Sequence, residues 1–213
     1  MTTKRYLLTT FLAAVAATCT LGFAQTAPTA PEAPDVLVKR LATEITDAVK
    51  ADKGLAAGDA TKVANLIESK IIPFVNFQRM TASSVGPAWR SATPDQQKRL
   101  QEEFKALLIR TYAGAIKEIK DQTVVVKPLR FAVEDAAVIV RSEVRGKGDP
   151  IQLDYRVGKV TDASGTVWKI YDINVLSVWL VETYRGQFAQ EVNANGIDGL
   201  IKSLAEKNKS IKK

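Results

Sequence analysis

The hydrophobic period of this chain changes twice, and those changes limit its fold more than any other feature. Before Asp121, apolar residues recur at helical spacing. From Val124 to Val175 they recur at every second residue, and from Leu180 the helical spacing returns. Strands gathered in one block, with helices before and after, predict an α+β domain.

The first helical block has four segments. Asp35 to about Ala51 carries Val38, Leu41, Ile45 and Val49, and Gly54 and Gly58 interrupt the pattern. Asp59 suits the cap of a second helix with Val63, Leu66, Ile67 and Ile71 on one face, ended by Pro73. Asn76 suits the cap of a short helix from Phe77 to Ser83, followed by a Gly86-Pro87 turn and Trp89. Thr93-Pro94-Asp95-Gln96 then reads as a capping box with proline at the first helical position. The helix it starts is expected to reach about Lys120, with Leu100, Phe104, Leu107, Leu108, Tyr112, Ile116 and Ile119 as its apolar stripe.

Four strands are expected in the middle block: Val124 to Phe131, Ala136 to Arg145, Ile151 to Val160 and Thr166 to Val175. The connections Glu134-Asp135, Gly146-Lys147-Gly148-Asp149 and Asp162-Ala163-Ser164-Gly165 are turn chemistry, short enough to make neighbours antiparallel. Val138, Val140 and Val144, and then Ile151, Leu153, Tyr155 and Val157, alternate with charged residues, so one face is apolar and the other wet. Ser177 suits the cap of a further helix carrying Leu180, Val181, Tyr184, Phe188 and Val192. Asn195-Gly196 ends it, and a last helix carries Ile197, Leu200, Ile201 and Leu204 before a basic tail, 208–213. The expected whole is a four-stranded antiparallel curved sheet with helices packed on one face.

The N-terminus reads as a targeting signal over residues 1–24. Lys4 and Arg5 precede an apolar run, Tyr6 to Leu21, and Gly22-Phe23-Ala24 offers small residues at a cleavage point. The run is short for a spanning helix, and Ala16-Ala17-Thr18 fits poorly before a lipoprotein cysteine at Cys19. Residues 25–34, rich in Ala, Thr and Pro, read as a flexible leader to a single domain over 35–207. Cys19 is the one cysteine and histidine is missing from the sequence, so a mature chain without its signal has no thiol chemistry and no histidine base or ligand. Loss of Lys4 and Arg5 leaves 28 basic against 23 acidic residues. That modest, interleaved excess lacks the dense basic stripe of a nucleic-acid binder; it suits an anionic lipid surface or simply a solvated exterior.

Catalytic motifs are few. There is no G-x-S-x-G elbow and no phosphate-cradling Gly-Lys-Ser/Thr loop. Asp154-Tyr155 and Tyr171-Asp172 could do acid–base work, but neighbours on a strand point to opposite faces. The aromatics carry more information, although a core and a lipid cavity use the same residue types.

An ordered series of short motifs runs through nearly the whole chain after the signal. Ile72-Pro73-Phe74 is followed by Gly86, Trp89, Thr93 to Gln96 and Thr111-Tyr112. Then come Leu153-Asp154-Tyr155, Trp168-Lys169-Ile170-Tyr171-Asp172, Tyr184-Arg185 with Phe188, and Gly196 to Ile201. In order and spacing this series resembles the MlaC, or toluene-tolerance, family of periplasmic phospholipid-binding proteins. Two departures stand out: Asn76 where the family usually has Asp, and Val175-Leu176-Ser177-Val178-Trp179 where it usually has Gly-Val-Ser, which adds bulk near the expected pocket mouth.

The resemblance implies a cone-shaped, NTF2-like layout with extra helices, enclosing an apolar cavity. It implies a phospholipid ligand with its acyl chains inside and its headgroup near solvent. The expected lining is Phe74, Phe77, Met80, Trp89, Phe104, Leu108, Tyr112, Val140, Leu153, Tyr155, Val157, Ile170, Val175, Trp179, Tyr184 and Phe188, with Phe104, Leu108 and Tyr112 facing Val140, Leu153, Tyr155 and Val157 across it. It also implies a periplasmic location, no cofactor and no enzymatic role. The implied task is to shuttle lipid between an outer-membrane lipoprotein–porin complex and an inner-membrane ABC transporter complex, maintaining outer-membrane lipid asymmetry. Two other readings fit the residues: a small-molecule enzyme on a cone-shaped α+β fold, and a periplasmic chaperone or adaptor that binds protein.

Overall fold

The computed structural model describes residues 31–162 and 165–211. The signal, Cys19, most of the leader, the middle of the Asp162–Gly165 turn and the last two lysines lie outside the described residues.

The chain opens with α1 (Pro34–Ala51), α2 (Lys53–Ala57) and α3 (Ala60–Leu66). Asp52 and Asp59 cap α2 and α3 through their carboxylates, and Asp52 also holds the Lys62 ammonium at 2.8 Å. Past Leu66 the helix widens into a π-turn and then tightens over Ile72–Phe74 around Pro73. Helix α4 (Phe77–Val85) starts at Asn76, whose side chain accepts from the Arg79 N–H at 2.9 Å. The Asn76 N–H donates to the Ile170 carbonyl at 2.8 Å, so the cap also stitches α4 to a strand edge.

Helix α5 (Pro94–Tyr112) has both halves of the expected capping box, Gln96 N–H to Thr93 Oγ1 and Thr93 N–H to Gln96 Oε1. It ends about two turns short of the expected Lys120, and Ala113–Asp121 forms 3₁₀ turns instead. Gly114 weakens the α-helix there. A 3₁₀ turn also aligns residues three apart, which suits Ile116 and Ile119, both set against the cluster formed by Val49, Leu55, Val63, Leu66 and Ile67.

The sheet contains six strands rather than four: β1 (Thr123–Val126), β2 (Ala137–Val140), β3 (Ser142–Arg145), β4 (Ile151–Asp162), β5 (Gly165–Val175) and β6 (Val178–Trp179). Their pairings are antiparallel: β1 pairs β3, β2 and β3 both pair β4, β4 pairs β5, and β5 pairs β6. Strand β1 stops early, at Val126; the Lys127 N–H still donates to the Arg141 carbonyl at 2.8 Å, and Pro128 follows. The expected second strand keeps one register with β4 but is interrupted at Arg141: the Ser142 N–H turns to the Asp154 carboxylate at 3.2 Å.

In β5 a bulge changes which residues share a face. Arg156 pairs with Asp172, yet Val157 pairs with Ile170, so Tyr171 is the extra residue. Cross-strand partners share a face. The bulge therefore keeps Ile170 and Ile173 on the side of Leu153, Tyr155 and Val157, although they are three apart. On the other face the Arg79 guanidinium lies 3.5 Å from the Tyr171 ring centre, and a Cβ at Gly158 would collide with it.

Helix α6 (Leu180–Ser210) begins two residues later than a cap at Ser177 would place it, with no side-chain cap from Trp179 at its start. Asp172 supplies the acceptor instead. Its fully buried carboxylate accepts from the Val181 N–H at 3.0 Å, the Ile173 N–H at 2.9 Å and Arg156 Nη1 at 2.8 Å. The helix breaks at Gly196 (φ 69°), as expected, and continues to Ser210, where buried Asn208 donates to the Glu103 carbonyl and carboxylate at 2.9 and 2.7 Å.

Burial pushes the Asp172 carboxyl up from its ordinary value, against the Val181 N–H, the Arg156 charge and the Ile173 N–H, which pull it down. An acid that holds its proton more tightly when folded makes the native state lose stability as pH rises from about 4 through its raised value. Asp172→Asn keeps an acceptor for Val181 and abolishes the titration. The stability of wild type minus that of this variant should fall as pH climbs through that window, read from urea melts at a series of pH values; a flat difference would exclude the coupling.

Ser177 has a different role from the one expected. It and Leu176 form the two-residue β5–β6 turn with φ of 68° and 52°. A turn with positive φ at both positions favours Asn-Gly, and a branched side chain there is strained. The double change Leu176→Asn, Ser177→Gly should raise stability by about 1 kcal/mol in thermal or urea melts.

Candidate functional site in the apolar interior

Two apolar clusters fill the space beside the sheet. In the first, Phe104 of α5 is fully buried, edge-on to Tyr184 at 4.9 Å and Phe188 at 5.1 Å, with Met80, Leu108 and Val181 packed around them. In the second, Leu37, Val38 and Leu41 of α1 cover Val140, Val157, Trp168 and Ile170. Half-buried Ile173 packs against both clusters, and the bulge puts it there.

Of the half-buried residues beside these clusters, Phe77 packs against the first, Phe74 and Tyr155 against the second, and Ile71 joins the first to the cluster around Val49 and Ile67. Native cores are close-packed, so partly uncovered apolar side chains at their edges are the less tightly packed positions. Tyr155 shows this best. Burial drives its hydroxyl well above the usual phenol range, a bond to Ser142 opposes that, and the Asp154 charge adds to it. Yet the side chain keeps some accessible surface. Tyr184 is pushed up to about 12, first by burial and then by Tyr112 beside it, while Thr111 pulls it down.

The sequence-expected residues divide between these places. Met80, Phe104, Leu108, Tyr184 and Phe188 belong to the first cluster, with Phe77 and Trp89 against it; Val140, Val157 and Ile170 belong to the second, with Phe74 and Tyr155 against it. Leu153 and Val175 are half-buried cross-strand partners at the sheet's end. Trp179 lies under the Arg156 guanidinium, 4.0 Å from its ring centre, and Tyr112 is 39% exposed at the rim. Phe104 and Leu108 pack with α4 and α6, while Val140 and Val157 lie under α1. Sequence reasoning misses Ile173 and the role of the α1 stripe. The signal for Ile173 is its three-residue spacing from Ile170, which shares a strand face only across a bulge.

Among the concavities that open at the surface of the described residues, two are of ligand size. One, of about 510 Å³, lies between Ile72–Gln78, the side of α5 bearing Lys98, Gln101, Glu102 and Lys105, and Val160 and Lys169 of the sheet. The other, of about 670 Å³, runs between α3 and α5 to Ile211 with mainly apolar walls such as Val63, Ala106 and Ile109. The carboxylates considered for acid–base work are engaged structurally: Asp154 holds Ser142 and Gln152, and Asp172 holds α6 and Arg156. Among the described residues no group of three His, Cys, Asp or Glu side chains is placed to hold a metal ion, and no helix is long and apolar enough to cross a membrane.

This architecture matches known proteins. The family model described as MlaC protein matches residues 39–206. The chain belongs to the MlaC family. It is 26% identical to the toluene tolerance protein ttg2D of Pseudomonas putida over 79% of this chain and 77% of that protein. It is 21% identical to the intermembrane phospholipid transport system binding protein MlaC of Haemophilus influenzae, over 83% of each. A solved structure of the phospholipid-binding protein from Ralstonia solanacearum, in complex with a phospholipid, superposes with a TM-score of 0.77 at 42% identity, covering 84% of this chain and 98% of that one. The family thus accounts for the α+β class, the open antiparallel sheet and the flanking helices.

Phe104 should be the most sensitive position in the first cluster. Truncation to alanine should cost about 3–5 kcal/mol, whereas Tyr112→Ala at the exposed rim should cost about 1 kcal/mol or less. Denaturant melts of the two variants would reverse this order only if Phe104 were not a packing centre.

Proposed function

We propose that this chain is a periplasmic phospholipid carrier that moves lipid between an outer-membrane lipoprotein–porin complex and an inner-membrane ABC transporter complex, and so maintains outer-membrane lipid asymmetry. The observation that carries this reading is the 42% identity, over 84% of this chain and 98% of the other, to a protein solved with a phospholipid bound. The seam supports it physically. Ile173 offers an apolar wall where the two cores meet, with Phe77 half-buried against one core and Phe74 and Tyr155 against the other, and acyl chains entering at Ile173 would part the clusters without breaking either. The reading makes no use of a cofactor, and the names of the relatives are those of binding and transport proteins rather than enzymes.

Energetics then require partners. Burying a methylene contributes roughly 0.8 kcal/mol, so two long acyl chains represent more than about 20 kcal/mol in gross transfer. Release into water would be far too slow to serve transport. Handoff needs a docked partner with an equally apolar path, and the direction of transport is set by those partners.

Organic extracts of the purified mature protein, analysed by mass spectrometry, should contain phospholipid; none, even after incubation with vesicles, would sink the proposal. Ile173→Trp fills the seam at some overpacking cost. It should lower the recovered lipid severalfold in protein that remains folded by circular dichroism.

A further inference from the structure

We propose that the cleft between the first turn of α4, the outer side of α5 and the sheet residues Val160 and Lys169 binds a phosphate group, carried on a lipid headgroup or free in solution. For the source of that phosphate the inference rests on the carrier reading; for the site it rests on the cleft alone. The cleft is a concavity of about 510 Å³, in the size range of small-ligand sites. Lys98 and Lys105 reach it from α5 and Lys169 from β5, against the single carboxylate of Glu102. Like charges gathered in a concavity focus the local potential more than the same charges on a flat surface.

These cations are only partly engaged. Lys98 meets Glu102 at 4.0 Å with both side chains largely exposed, and only Lys105 is closely held, by Glu68 at 3.2 Å. No carboxylate forms an ion pair with Lys169 among the described residues. From the α4 side Gln78 adds an amide donor. The same segment brings apolar surface as well: Val75 and Phe77 line the cleft, and both pack in the first cluster. A charged pocket whose far wall is the edge of an apolar core fits the phosphate end of an amphiphile.

The test uses the mature protein, delipidated or loaded with phosphatidylglycerol, titrated with inorganic phosphate and glycerol 3-phosphate and followed by phosphorus NMR. Delipidated wild type should bind both probes. The double variant Lys98→Gln, Lys169→Gln should bind them at least about tenfold more weakly, as removal of two charge-assisted hydrogen bonds predicts. Lys202→Gln, Lys209→Gln removes the same charge from α6 and should bind as wild type does. If lipid loading abolishes phosphate binding, the headgroup occupies the cleft; if binding persists, the cleft takes free phosphate. No binding by delipidated wild type, or equal losses in both double variants, overturns the site. The probes are water-soluble, so the result stands even if the protein never takes up lipid.

Discussion

Asp172 holds a carboxylate wholly out of water at the point where the sheet hands the chain to α6, and three donors must meet it there. The Arg156 guanidinium answers its charge, while the Ile173 and Val181 N–H groups take its other oxygen. Without them the buried charge would be strongly unfavourable. With them, the first turn of α6 is fixed on β5, because Val181 has no other acceptor for a helix start that carries no local cap. Arg156 extends the arrangement by reaching Glu182 at 3.1 Å and covering Trp179. The position of Tyr184 and Phe188, and through them of Phe104, follows from this junction.

The bulge at Tyr171 makes the junction compatible with an apolar sheet face. In a regular strand Asp172 would share a face with Ile170, and Ile173 would point away from it. The extra residue reverses this. Asp172 goes to the polar side, and Ile173 joins the apolar side between the two clusters. One irregularity thus sets both the polar anchor and the apolar seam. Arg79, stacked on Tyr171 over Gly158, covers the bulge from α4, and the Asn76 N–H bond to Ile170 holds α4 close enough to do so.

What can be read from the sequence is local. Asn76 and Asp59 cap the helices they precede, Thr93 and Gln96 form their box, and Gly196 breaks the last helix, because each acts within a few residues of its own position. What cannot be read depends on residues far apart in sequence. Ser177 is a plausible cap by composition, but Asp172 meets the helix start from across a hairpin. The Ala136–Arg145 strand is sound in pattern, yet Asp154 captures one of its N–H groups. The stripe Leu37, Val38, Leu41 announces a helix and leaves open which part of the sheet it covers. The sixteen expected lining residues share an apolar or aromatic character, which is blind to whether a residue ends inside a core or at a seam.

That distinction bears on how a carrier of the proposed kind can work. An apolar cavity held permanently open is costly, since the atoms of its walls have no neighbours on one side. A fully consolidated core would leave an acyl chain no way in. Two cores that meet at half-buried Ile173 avoid both problems: each holds its own helices in place, and the seam between them is the least costly place to part. α1 holds one side of the sheet through Val140 and Val157, and α6 holds the other through Asp172. Parting along Ile173 would therefore leave both anchors intact. The entering chains would take over the apolar packing that the two cores give up along the seam. Uptake is then an exchange of one apolar neighbour for another rather than an unfolding.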